Sequence, residues 1–262
     1  MAVIEHSVPY GKRLLPTTID KIADETPQKL FAAIPRTGDL KDGFMDVSFG
    51  DFARAADRIA WWLEELLGKS TTFETLAYLG PSDLRYFIFM IAVPKLGYKV
   101  SKPIFSAGKG KNTLTSGMEL FVPSPRNSPE GQVNLFNKTS CDVLITTPSN
   151  KVREYIDERP MRLLYIPELA KLLEPGEVPR YKFPKKFEEA KGDPFLVLHT
   201  SGSTSLPKPV FIPHSWVCGV DMMQGLEPHD GHNATFKSFS GKRTFCSLPP
   251  FHVSMRSGLR IR

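Results

Sequence analysis

Thr200, Ser201, Gly202, Ser203, Thr204 and Ser205 follow one another without a break, and Lys208 stands shortly after them between Pro207 and Pro209. Such a stretch can turn backbone N–H groups, hydroxyls and one ammonium toward a single point. That arrangement holds an anion of several charges, such as a polyphosphate. A plain polar hairpin turn is the other reading of the same residues. Two named alternatives fail on spacing. A P-loop requires G-x-x-x-x-G-K-[ST], and Lys208 is followed by proline with no such glycine before it. A nucleophile elbow requires G-x-S-x-G, and Gly202 is followed directly by Ser203 with no closing glycine.

The elements that must position this stretch are legible on both sides of it. Pro194 to Leu198 is a short apolar run of strand length, and Val210 to Ile212 is β-prone. Upstream, Ser48 and Asp51 form a capping-box pair, and Phe52, Ala55, Ala56, Ile59, Ala60, Leu63, Leu66 and Leu67 recur at helical spacing until Gly68. Pro16 to Ala23 begins a short amphipathic helix for which Thr17 or Thr18 is the expected cap. Phe31 to Pro35 and Thr75 to Leu79 read as strands, with turns at 37–39 and 41–43 and at Gly80-Pro81. A nearly all-apolar helix capped by Ser82 follows, interrupted by Pro94 and closed by Gly97. Ser128-Pro129 opens another helix, Val143 to Ile145 is a buried strand, Ser149 to Ile156 a helix and Met161 to Ile166 a strand. Residues 174–191 are a Pro- and charge-rich connection, His214 to Met223 looks helical, 225–241 reads as a loop and Arg243 to Leu248 as a strand. A β-α-β-α rhythm with continuous apolar strands predicts an α/β fold whose parallel sheet is covered on both faces. A ligand loop at the carboxyl end of a strand is the expected place in such a sheet.

Bulk properties narrow the function classes. With 41% hydrophobic residues and three tryptophans, the 262-residue chain has enough apolar material for a sizeable core. Cys141, Cys218 and Cys246 are an odd, widely spaced set without C-x-x-C, which argues against a disulfide framework or zinc site and for a cytoplasmic, reducing setting. No apolar run is long enough for a membrane span, and the N-terminus lacks a basic region followed by an apolar core. The net charge of +6 comes from scattered loop residues, so an anionic small ligand explains it better than a nucleic-acid partner.

The stretch from Thr200 to Lys208 resembles the phosphate-binding loop of the adenylate-forming (AMP-binding) superfamily, written T-S-G-[ST]-T-G-x-P-K. Thr200, Ser201, Gly202, Ser203, Thr204, Pro207 and Lys208 match it, and Ser205 replaces a glycine. Phe251-His252 is similar to the family's strand-end aromatic–histidine motif. The wording of 46–55, 74–81 and 123–128 resembles fungal non-ribosomal-peptide-synthetase-like carboxylate reductases. The resemblance implies the N-terminal part of a large adenylation domain, with mostly parallel sheets flanked by helices and incomplete at the C-terminus. It covers residues 14–262, with an arm at 1–13.

By that resemblance ATP is bound through Thr200, Ser201, Gly202, Ser203, Thr204 and Lys208, with Thr204 also a candidate magnesium ligand. Phe251 and His252 would wall an acyl pocket. The family activates a small carboxylic acid with ATP, aided by Mg²⁺, and passes the acyl-adenylate to the phosphopantetheine thiol of a carrier region that precedes a reductase. Its adenine segment, ribose-binding aspartate, hinge and catalytic lysine would follow Arg262, so no catalytic residue is assigned here. Activity of the chain alone is not expected, and a non-catalytic remnant or interaction module with the α/β half-fold remains the alternative. Two further departures bear on the site. Residues 101–122 interrupt the family pattern, are rich in Lys, Gly, Ser and Thr, and are expected to loop out or disrupt the next strand. Ser205 would cost roughly 1–2 kcal/mol if its position needs positive φ.

Overall fold

The structure is a computed structural model that describes residues 8–70, 74–96, 118–121, 127–200 and 206–227. Its longest helix, α2 (Phe49–Leu67), begins where the capping box predicts. The Asp51 N–H donates to Ser48 Oγ, and the Ser48 N–H donates to Asp51 Oδ2, each at 3.1 Å. Gly68 ends α2 with φ +75°, a conformation that a side chain disfavours. Ser48→Ala removes one half of this reciprocal pair. It is expected to lower stability by about 1 kcal/mol, read as a lower urea midpoint with an unchanged slope.

Helix α1 (Leu15–Glu25) starts earlier than expected, with Leu14 at the cap position. Pro16, whose ring presets a helical φ, occupies the first turn. The Thr17 and Thr18 hydroxyls therefore do not cap the helix but donate back to the Leu14 carbonyl, at 2.9 and 2.7 Å. Helix α3 (Leu84–Lys95) is capped by Asp83, whose carboxylate accepts from the Arg85 N–H, and not by Ser82. Pro94 lies one residue before its end. The described part of the N-terminal arm is tied down. Within it, the Gly11 N–H donates to Asp221 at 2.9 Å, and the Arg13 guanidinium pairs with the same carboxylate.

Strands β1 (Leu30–Pro35) and β2 (Phe44–Ser48) form a small antiparallel ribbon. The main sheet has six strands: β3 (Glu74–Leu79), β4 (Met118–Phe121), β5 (Cys141–Thr146), β6 (Arg162–Tyr165), β7 (Pro194–His199) and β8 (Pro209–Pro213). Their order is β6-β5-β3-β4-β7-β8, parallel except for the final β7–β8 pair. The last residues of the supposed insertion are thus a strand seated between β3 and β7, instead of a segment that loops out. Four residues, three of them apolar, suffice for such a strand, and periodicity is not detectable over so short a run.

Alternation along the strands assigns the two faces. Leu76, Tyr78, Ile145 and Leu196 pack with α1, α2 and α3, whereas Ala77, Leu79, Leu144 and Val197 pack with α4 (Pro129–Lys138) and the single turn α5 (Arg153–Ile156). Both faces are covered, as continuous apolar strands require. Helix α5 is shorter than the expected 149–156 span. The connection from β6 to β7 contains the short helices α6 (Leu169–Leu173) and α7 (Phe187–Ala190), and α8 (His214–Met222) follows β8. The Trp61 indole donates to Pro179 O at 2.8 Å and meets Tyr181 edge-on, so this tryptophan anchors the connection. No helix among the described residues is long and apolar enough to cross a membrane.

Candidate functional site

The polar stretch joins β7 to β8, which pair antiparallel with His199 opposite Pro209 and Leu198 opposite Val210. Two further bonds close its base. The Thr200 N–H donates to the Lys208 carbonyl at 3.0 Å, and the Lys208 N–H donates to Thr200 Oγ1 at 3.1 Å. A hydroxyl oxygen that accepts a backbone N–H still has its own proton to give. Thr200 is therefore held in place while remaining a donor, and both Thr200 and Lys208 are exposed at the end of the hairpin. No carboxylate among the described residues pairs with Lys208.

Of the sequence-derived candidates, Thr200 and Lys208 are brought together. Ser201, Gly202, Ser203 and Thr204, the departing Ser205, and the pair Phe251 and His252 lie outside the described residues. The base sits at the carboxyl end of β7, beside the parallel strand β4. That is the edge where open α/β sheets place ligands.

Residues that the sequence did not single out surround this base. His199 Nδ1 lies 2.8 Å from the Thr200 carbonyl, and Asn127 Nδ2 lies 3.4 Å from His199 Nε2. The tautomer that satisfies both contacts carries its proton on Nδ1, donates to Thr200 O and accepts from Asn127. On the other arm, Asn134 Nδ2 donates to the Pro207 carbonyl at 2.9 Å. Pro207 is itself buried against Gly131, where an added Cβ would come within 3.3 Å of the proline ring. Asn127 and Asn134 are each separated from their partners by more than seventy positions. The one local signal was the Ser128-Pro129 cap, whose hydroxyl accepts from the Gly131 N–H at 3.2 Å.

A separate open cavity of about 500 Å³ is lined by Asp24, Arg54, Asp57, Glu177 and Arg180 among others. It includes no residue of the hairpin. Several of its charges already pair with one another, Arg180 bridging Asp57 at 2.9 Å and Asp24 at 2.5 Å, and Arg54 pairs with Asp51. The hairpin base, where Thr200 and Lys208 are exposed and Lys208 has no acidic partner among the described residues, is the better candidate for an anion.

The family model described as AMP-binding enzyme matches residues 20–259. The chain is 35% identical over 227 residues to an isocyanide synthase-NRPS hybrid, crmA, of Aspergillus fumigatus, covering 85% of this chain and 13% of that protein. It is 33% identical over 258 residues to a carboxylic acid reductase of Neurospora crassa, covering 95% of this chain and 22% of the relative. The chain therefore spans less than a quarter of either relative. Among solved structures, the N-terminal domain of FACL13 from Mycobacterium tuberculosis has a TM-score of 0.61 at 16% identity, over 94% of this chain and 54% of that one. The o-succinylbenzoate CoA synthetase of Bacillus subtilis, solved with its acyl-adenylate intermediate, has a TM-score of 0.56 at 17% identity, over 94% of this chain and 53% of that one.

Proposed function

We propose, for a chain that belongs to the AMP-binding enzyme family, that the β7–β8 hairpin holds the β- and γ-phosphates of ATP while a carboxylic acid is activated. The observation that carries the proposal is the base of the hairpin. Thr200 is fixed by two bonds to Lys208 yet keeps a hydroxyl proton, and the Lys208 ammonium is exposed without an acidic partner among the described residues. In the reaction, a carboxylate oxygen bonds to the α-phosphorus of ATP. The bond from that phosphorus to the bridging oxygen breaks, and pyrophosphate leaves with the electron pair. Donors already aimed at the departing phosphates stabilise the charge that accumulates there.

Ser201, Gly202, Ser203 and Thr204 complete the cradle in this reading, and Phe251 and His252 wall the acyl side. A magnesium ion, with Thr204 as its proposed ligand, would neutralise phosphate charge. Transfer of the acyl group to the phosphopantetheine thiol of a carrier region, followed by reduction, extends the proposal along the lines of the carboxylic acid reductase relative. A cytoplasmic setting is part of the same reading. It is supported by the buried free thiols of Cys141 and Cys218, which burial pushes up to about 12 and about 11.

Thermal unfolding with Mg-ATP or magnesium pyrophosphate tests the proposal. Ligand at a hundred times its dissociation constant protects a folded protein by about 2.7 kcal/mol. Lys208→Ala, which removes a charge-assisted contact from an exposed position, is expected to weaken either ligand about tenfold or more without lowering the melting temperature of the free protein. Melting unchanged by saturating ligand would instead favour a module that keeps the fold without binding nucleotide.

A further inference from the structure

We propose that the segment from Asn127 to Asn134, which leads into and includes the first turns of α4, is a brace for the phosphate hairpin, and that Asn134 is a positioning residue acting through Lys208. The inference rests on the phosphate-site reading above. Three contacts from one short segment reach both arms of the hairpin. Asn127 touches His199, which holds the Thr200 carbonyl on the incoming arm. Asn134 donates to the carbonyl of Pro207, the residue immediately before Lys208 on the outgoing arm. Gly131 lets the helix backbone approach the buried Pro207 ring, because any side chain there would press on it.

The consequence concerns geometry more than folding. An exposed lysine on a flexible stem is a poor phosphate ligand unless its backbone is fixed. The Lys208 N–H already points into the hairpin, toward Thr200 Oγ1. That leaves the orientation of the preceding peptide to be set from outside, and the Asn134 amide sets it by holding the Pro207 carbonyl. Helix α4 is in turn anchored by Val133, Leu135 and Phe136, which pack beneath β3, β5 and β7. Asn134 itself is only half-buried on this helix, between these apolar anchors. The brace therefore connects the sheet core to the ligand-facing lysine through a single rigid element. Pre-organised groups lose less freedom on binding than groups that must be ordered by the ligand.

The test uses the full chain, with magnesium pyrophosphate as the probe in calorimetric titration. Asn134→Leu keeps the size of the side chain and removes the donor; it is expected to weaken pyrophosphate roughly fivefold, the range of one neutral hydrogen bond. Asn134→Asp, which places an acceptor against the Pro207 carbonyl, weakens it at least as much and serves if the leucine variant folds poorly. Amide hydrogen exchange at Lys208 is expected to accelerate in both variants, while exchange at Val197 and Ile212 in the same strand pair stays unchanged.

In a Lys208→Ala background, Asn134→Leu is expected to change the remaining affinity less than twofold, since a residue acting through Lys208 has nothing left to position. Equal weakening in both backgrounds, or unchanged pyrophosphate affinity in Asn134→Leu, overturns the brace and leaves the phosphate site standing. Failure of the unaltered chain to bind pyrophosphate overturns the phosphate site itself, and the brace with it.

Discussion

Lys95→Met is expected to be the most destabilising single substitution considered for this chain, lowering stability by about 3–5 kcal/mol. Lys95 is completely buried at the end of α3, and its ammonium lies 2.7 Å from Asp20 on α1 and 2.8 Å from Asp57 on α2. Asp57 is also buried, and Arg180 from the connection between β6 and β7 reaches it at 2.9 Å. One cluster of charges thus joins three helices and the segment that delivers the chain to β7. Burial is the larger influence on Asp20 and pushes its carboxyl up, with Lys95 pulling it down. Removing the cation leaves two desolvated carboxylates sharing Arg180, which lies closer to Asp57 than to Asp20.

The size of the loss follows from what is left behind, not from the attraction itself. Breaking a buried pair strands a charge, whereas replacing both partners with apolar groups is often close to neutral. The double variant Lys95→Met with Asp57→Leu is therefore expected to recover part of the loss. In thermal melts the single variant should fall by roughly 10 °C for a chain of this size. A single variant that melts within a degree or two of the parent would show that the cluster is hydrated enough to tolerate an unpaired carboxylate.

This cluster was not visible in the sequence, for a physical reason. Lys95 follows Pro94 in an apolar helix, and nothing local distinguishes a lysine that reaches solvent from one that turns inward. Its partners are 38 and 75 positions away. Features made by neighbours in the chain were legible. The Ser48–Asp51 box and the glycine stop of α2 are set by contacts within one turn, and β3, β5, β6 and β7 announced themselves as apolar runs, whereas β4 did not. Thr17 and Thr18 misled because Pro16 can start a helix without a side-chain cap.

The same distinction applies to the site. Thr200 and Lys208 were singled out from residue type and spacing, and the structure brings them together. The stretch is closed at its base by an antiparallel strand pair. The antiparallel sense of β8 follows from connection length, since parallel neighbours need a crossover that the nine residues 200–208 cannot supply. Asn134, Gly131 and the Asn127–His199 contact, by contrast, depend on α4 packing across the sheet. No spacing along the chain encodes them.

Acid is expected to destabilise the protein through His214, well before most carboxylates are protonated. His214 begins α8, is almost fully buried, and lies against the rings of Phe183 and Phe195 at centroid distances of 5.4 and 5.0 Å. Its backbone N–H donates to the Asp193 carbonyl, and Lys185, which pairs with the Asp193 carboxylate, is the nearby cation. Burial, and secondarily Lys185, push the imidazole down to about 3 from its ordinary 6.5. Between those values the unfolded chain takes up a proton that the folded chain refuses. The contribution of neutral His214 is thus complete above pH 6.5 and is lost progressively as pH falls toward 3. The slope approaches about 1.4 kcal/mol per pH unit once the unfolded imidazole is fully protonated, so moving from pH 6.5 to 4.5 costs about 2 kcal/mol. His214→Phe should flatten this part of the urea-stability profile, whatever it does to stability at neutral pH, because the slope belongs to the titrating group and the packing does not titrate.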